Sequence, residues 1–115
     1  MTYIKDIHKE GKEKHIPELS VTKEGDLYRI EIEVGKEVKH PNLANHNINW
    51  VDIYFYPEGK EIVHLARVEF KAHGEFNNYT EPKAIIYAKL DGKGKIVAIS
   101  YCTLHGLWQK EIEIP

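Results

Sequence analysis

The chain holds a single cysteine, Cys102, and a histidine follows three residues later in Cys102-Thr103-Leu104-His105-Gly106-Leu107-Trp108. Three more histidines lie upstream in two short segments, Glu13-Lys14-His15-Ile16-Pro17 and His40-Pro41-Asn42-Leu43-Ala44-Asn45-His46. Thiolate sulfur and imidazole nitrogen are the protein donors that suit transition metals. One thiolate and four imidazoles exceed the four ligands of a closed structural zinc site, yet leave a position free on a six-coordinate metal. An open position points to chemistry rather than to structure. Glu13 adds a carboxylate donor beside His15, and Lys14 adds a positive charge.

Each piece also has a plain alternative. Free cysteine is often just a small buried hydrophobe. His40 and His46 are six residues apart, a spacing that does not share a helical face, so only a compact loop can bring them together. His8, His64 and His73 lack any such context and read as structural or solvated. A different metal chemistry also competes. Cys102, His105 and Gln109 imitate the ligand order of a cupredoxin-like electron carrier, with Gln109 as the weak axial ligand. That arrangement leaves two of His15, His40 and His46 unused.

The elements that must position these residues are strands. Tyr28, Ile30, Ile32 and Val34 alternate with Arg29, Glu31 and Glu33, which gives a strand one apolar face. Residues 48–56 are rich in aromatic and β-branched side chains and predict a second strand. Residues 62–70 predict a third, with Ile62, Ala66, Val68 and Phe70 on one face. Residues 84–90, 96–101 and 108–114 add three more, with Glu111 and Glu113 facing water, and a short strand is expected over 19–22. Gly-bearing turns at Lys23-Glu24-Gly25-Asp26, Pro57-Glu58-Gly59-Lys60 and Asp91-Gly92-Lys93-Gly94 separate them. No segment carries a sustained helical period. About seven short antiparallel strands predict an all-β, immunoglobulin-like sandwich, with a small barrel as the alternative. The segments that escape the strand pattern, 12–18, 39–47 and 103–107, are the ones that carry the candidate ligands, and loops on a rigid sheet are where sites concentrate.

Composition sets the outer bounds. A length of 115 residues predicts one domain over 1–115. One cysteine cannot form an internal disulfide, which disfavours a disulfide-stapled scaffold and suggests a reducing, cytoplasmic setting. There is no apolar run of membrane-spanning length. The net charge of −2, from 16 basic and 18 acidic residues, gives no footprint for nucleic acid.

Taken together, Glu13-Lys14-His15-x-Pro17, His40-Pro41-x-x-x-x-His46 and Cys102-x-x-His105-Gly106-Leu107-Trp108 resemble the three signature segments of the superoxide reductases, also called neelaredoxins, in order and over essentially the whole chain. The resemblance implies an immunoglobulin-like β-sandwich with one mononuclear non-haem iron at its edge. It implies His15, His40, His46 and His105 as equatorial ligands and Cys102 as the axial thiolate. Glu13 matches the residue that occupies the sixth position of the oxidised iron, and Lys14 the lysine that attracts superoxide and supports its protonation. The rubredoxin-like N-terminal domain of some members needs four more cysteines, so the one-iron type is implied. So are a homotetramer and a rubredoxin-type electron donor. Backbone N–H groups of Thr103, Leu104 and His105 are expected to temper the sulfur's electron donation.

Overall fold

The structure is a computed structural model that describes Ile7 and residues 15–115. Two antiparallel sheets face each other. Strands β1 (Pro17–Glu24), β2 (Leu27–Val34) and β5 (Lys83–Ala88) form one, in the order β1-β2-β5. Strands β3 (Ile48–Pro57), β4 (Val63–Glu69), β6 (Gly94–Cys102) and β7 (Gly106–Glu113) form the other, in the order β4-β3-β6-β7. Among the described residues, the seven-strand sandwich expected from the alternation is therefore present. Its fourth strand differs from the constant-type immunoglobulin arrangement, in which that strand lies beside the fifth. Here β4 pairs with β3.

The period-2 pattern explains the core. Tyr28, Ile30, Ile32 and Val34 point inward from β2, Val51, Ile53 and Phe55 from β3, and Ile96, Ala98 and Cys102 from β6. Phe70, just past β4, closes the cluster. Glu31 and Glu33 take the outer face of β2, where Lys83 on β5 lies 4.0 and 3.8 Å from them.

Several boundaries differ from the sequence expectation, each for a tertiary reason. The short strand expected at 19–22 runs from Pro17 to Glu24 because every one of those residues finds a partner on β2. Gly106 and Leu107 belong to β7, paired with Cys102 and Tyr101, rather than to a loop. The inward face assigned to Ile62 is incorrect. The pairing of β3 with β4 slips between Ile53 and Tyr54, so that Ile53 faces Ala66 while Tyr54 faces His64. An extra residue at such a bulge reverses which side chains face the core. Ile62 accordingly lies exposed, whereas Ala66, Val68 and Phe70 keep their inward places. A short 3₁₀ turn at Glu75–Asn77, within the β4–β5 crossover, carried no helical signal in the sequence.

The register sets where the candidate ligands gather. Pro17 at the start of β1 pairs with Val34 at the end of β2, and Ile48 at the start of β3 pairs with Cys102 at the end of β6. His15 precedes β1, residues 39–47 join β2 to β3, and Thr103–His105 join β6 to β7. Three segments up to 90 residues apart in sequence thus emerge at one end of the sandwich.

Candidate metal centre

Each donor is held by an identifiable local device. Cys102 is the last inward-facing residue of β6 and is wholly buried. The chain reverses over the next three residues, and Gly106, at φ +79°, supplies the left-handed conformation that lets β7 return beside β6. Ser100, two residues before Cys102 on the same face, donates its hydroxyl hydrogen to the His15 carbonyl at 2.9 Å and so ties the start of β1 to the opposite sheet. Asn47 and Thr103 exchange bonds, with Thr103 N–H donating to the Asn47 carbonyl at 3.0 Å and Asn47 N–H to the Thr103 side-chain Oγ1 at 3.1 Å. The segment ending in His46 is thereby fastened to the turn between Cys102 and His105. Gly35, at φ +83°, permits the entry to His40: a Cβ there would lie 2.6 Å from the His40 backbone nitrogen.

The four imidazoles form a ring around one point. Neighbouring ring centroids are 4.7 Å apart for His15–His40, 4.8 Å for His40–His46, 5.1 Å for His46–His105 and 4.7 Å for His105–His15. His15 and His46, on opposite sides of this ring, are 6.4 Å apart. The Cys102 sulfur joins this ring at 3.4 Å from His40 Nε2 and 3.7 Å from His105 Nδ1. Donor atoms of His15, His46, Cys102 and His105 all lie within 4.8 Å of one another. His15 Nε2 and His105 Nδ1 are 3.1 Å apart. With metal–nitrogen bonds of about 2.1 Å, two nitrogens at right angles on one ion stand about 3 Å apart. The donor atoms of His15, His46, His105 and Cys102 are therefore spaced to suit one transition metal, and His40 Nε2 adjoins them at 3.4 Å from the sulfur.

The bonding pattern orients one ring. His40 Nδ1 lies 2.7 Å from the Pro41 carbonyl, which only accepts, so Nδ1 donates there and Nε2 is the nitrogen turned toward the sulfur. Fixing the far nitrogen in this way orients a metal-binding imidazole. Trp108 stacks on His15, with centroids 4.9 Å apart and planes 16° from parallel, and its indole N–H donates to the His105 carbonyl at 3.1 Å. His15 and His40 are buried and His105 is exposed, so the cluster opens to solvent at the β6–β7 turn.

This geometry meets a matching ancestry. Residues 7–111 match the desulfoferrodoxin family. The chain belongs to that family. A superoxide reductase of Pyrococcus horikoshii is 45% identical over 103 residues, covering 89% of this chain and 88% of its own. The solved superoxide reductase of Nanoarchaeum equitans superposes with a TM-score of 0.92 at 68% identity, over 94% of this chain and 99% of the other. The reduced superoxide reductase (neelaredoxin) of Archaeoglobus fulgidus gives 0.89 at 38% identity, over 94% and 97%.

As a desulfoferrodoxin-family chain, the protein brings five of its predicted site residues together: His15, His40, His46, Cys102 and His105. Glu13 and Lys14, like His8, lie outside the described residues. Two expectations change. Thr103 N–H serves the Asn47 carbonyl and not the sulfur. Gln109 pairs with Ile99, one step out of phase with Cys102, so it faces the outside of its sheet. An axial role on copper is closed to it, and the cupredoxin-like alternative loses its fourth ligand. His64 is half exposed and bonds Asp52 at 3.2 Å, on the outer sheet face. Sequence reasoning missed Ser100, Asn47 and Gly35 as supports. Only their adjacency to the ligand segments hinted at them.

Proposed function

We propose that this chain is a superoxide reductase built on one mononuclear non-haem iron, which His15, His40, His46, His105 and Cys102 would hold. The ring of imidazoles with one sulfur beside it carries this reading. When bound, iron would supply the redox chemistry, namely the single electron that, with two protons, converts superoxide to hydrogen peroxide. The chain's own part is electrostatic and geometric. Four neutral imidazoles add no charge and the thiolate adds one negative charge, so with a divalent ion the site carries about one positive charge, the ion's own charge being counted. An anion is drawn to such a site even on a weakly acidic protein. Exposure of His105 beside buried His15 and His40 leaves one side for a small anion to approach. In this reading Lys14 strengthens that attraction and supports protonation, and Glu13 covers the open position of the oxidised centre.

The finer attributes belong to the same reading. A small rubredoxin-type protein restores the electron, as part of oxygen detoxification in the cytoplasm. Leu43 and Leu104, both exposed within the ligand segments, offer that donor an apolar rim near the metal. A homotetramer is favoured by Phe76, 97% exposed, and by Ile85 and Tyr87 standing out from edge strand β5. No helix among the described residues is long and apolar enough to cross a membrane.

The test is metal content with visible and EPR spectra, followed by mixing of the reduced protein with superoxide. The expected result is about one iron per chain by the ligand count, a thiolate-to-iron(III) charge-transfer band absent from Cys102→Ser, and return of that band when superoxide meets the reduced protein. A strong copper–thiolate band, or reduced iron that superoxide leaves unchanged, would refute the reading.

A further inference from the structure

The segment carrying His40 and His46 has little regular pairing of its own. Its ladder contact is the bridge between Leu43 and His46, with reciprocal bonds of 2.9 and 3.2 Å. Asn47 fastens one end, its amide donating to the Leu43 carbonyl at 2.8 Å. Near the other end, Asn42 reaches across to the β4–β5 crossover. Its Nδ2 donates to the Thr80 carbonyl at 2.9 Å. That bond fixes the amide orientation and leaves Oδ1 facing His73 Nδ1 at 2.6 Å. On its far side the His73 ring meets the Phe70 carbonyl through Nε2, also at 2.6 Å.

The crossover is a firm base. Phe70 is buried and its N–H donates to the Asn49 carbonyl at 2.9 Å. Thr80 and Ala72 exchange two bonds, of 2.8 and 3.2 Å, and His73 pairs with Tyr79 across it. Glu75 Oε1 accepts from His73 N–H at 2.7 Å, within the crossover itself.

We propose that His73 is a positioning residue for the metal centre: its imidazole clasps Asn42 and so pins the segment between His40 and His46 against the β4–β5 crossover. The inference rests on the reading of His40 and His46 as metal ligands. Its physical content is preorganisation, since a ligand segment already held in place loses less freedom when the ion binds. Groups that orient ligands without touching the ion commonly change metal affinity 10- to 100-fold.

Cobalt(II) titrated into the metal-free full chain against a competing chelator is the test, read by affinity and by the visible bands of the bound ion. His73→Ala and Asn42→Ala should each weaken cobalt binding about tenfold and alter the bands. The double variant should lose little more than either alone, because the two residues act as one contact. Glu75→Gln weakens a charged acceptor of the His73 N–H to a neutral one and spares both ring bonds, and should keep affinity within about twofold of the parent. If His73→Ala does not fold, Asn42→Ala tests the same clasp from its other side. Unchanged cobalt affinity and bands in both clasp variants would overturn the proposal, as would an equal loss in Glu75→Gln. His40→Ala and His46→Ala separate the two levels. If they abolish binding while the clasp variants do not, the clasp alone fails. If they too bind cobalt like the parent, the ligand reading fails and takes the clasp with it.

Discussion

An imidazole binds a metal well when its second nitrogen is already committed. His40 meets that condition through its own neighbour, the Pro41 carbonyl, and proline, which brings no N–H of its own, favours an extended conformation in the residue before it. Cys102 meets the corresponding condition for sulfur by ending a buried run of β6. The residue types were legible from spacing alone; what spacing could not give was the ring of imidazoles. Lys14 is the residue whose role is most sharply testable. Lys14→Ala should slow the bimolecular reaction of the reduced centre with superoxide several-fold, within the range that local steering produces. It should also flatten the salt dependence of that rate, because a screened attraction has been removed. Pulse radiolysis at two ionic strengths checks both. A rate unchanged at low salt would remove Lys14 from the approach path.

Among the elements, two contacts decide how well the sheets present the site. Gly35 is the first. Gly35→Ala places a methyl group against the His40 backbone and strains a positive φ, whereas Gly25→Ala strains a similar φ with nothing nearby. Both should cost about 1–2 kcal/mol from the backbone conformation. Only the Gly35 variant should also lower metal affinity, which parallel unfolding and metal titrations would reveal. Asp52 is the second, buried at the outer face of β3. Burial pushes its carboxyl pKa up, but the Arg67 hydrogen bonds, at 2.7 and 2.6 Å, and the His64 contact outweigh it and leave the pKa below the ordinary carboxylate value. Arg67 also lies over the Trp50 ring, 4.1 Å from its centroid, and Trp50 stacks on Tyr101. A depressed folded pKa means stability that is present above the unfolded value and lost as pH falls through the folded one. Asp52→Asn should therefore destabilise the metal-free protein by about 1–2 kcal/mol near neutrality. The gap should begin to close as pH falls below about 4, the unfolded carboxyl's range, and should close fully only below the depressed folded pKa. Denaturant unfolding of parent and variant across that range tests the sign.

At the scale of the whole molecule, the metal is expected to act as a clamp between the two sheets. His15 leads into β1 of one sheet, Cys102 and His105 belong to the other, and the segment with His40 and His46 joins them. An ion that binds only the folded chain adds stability by mass action, about 4 kcal/mol when its free concentration is a thousand times its Kd. Chelation should lower the melting temperature accordingly, and restoring iron or cobalt should recover it. A melt indifferent to metal would mean that the donors do not act together in the folded state.

The sequence by itself determined the donors and the strands. A lone cysteine, clustered histidines and period-2 alternation are local properties of the chain, and local chemistry is enough to read them. It could also name the three segments that matter, because they interrupt the alternation. Tertiary structure alone decided which strand neighbours which, and hence that β4 joins β3. It decided that a slipped pairing turns Ile62 outward and that Gln109 faces away from Cys102. It also brought His73 beside the ligand segment. These are consequences of register and of contacts between residues far apart in the chain, and no local pattern encodes them.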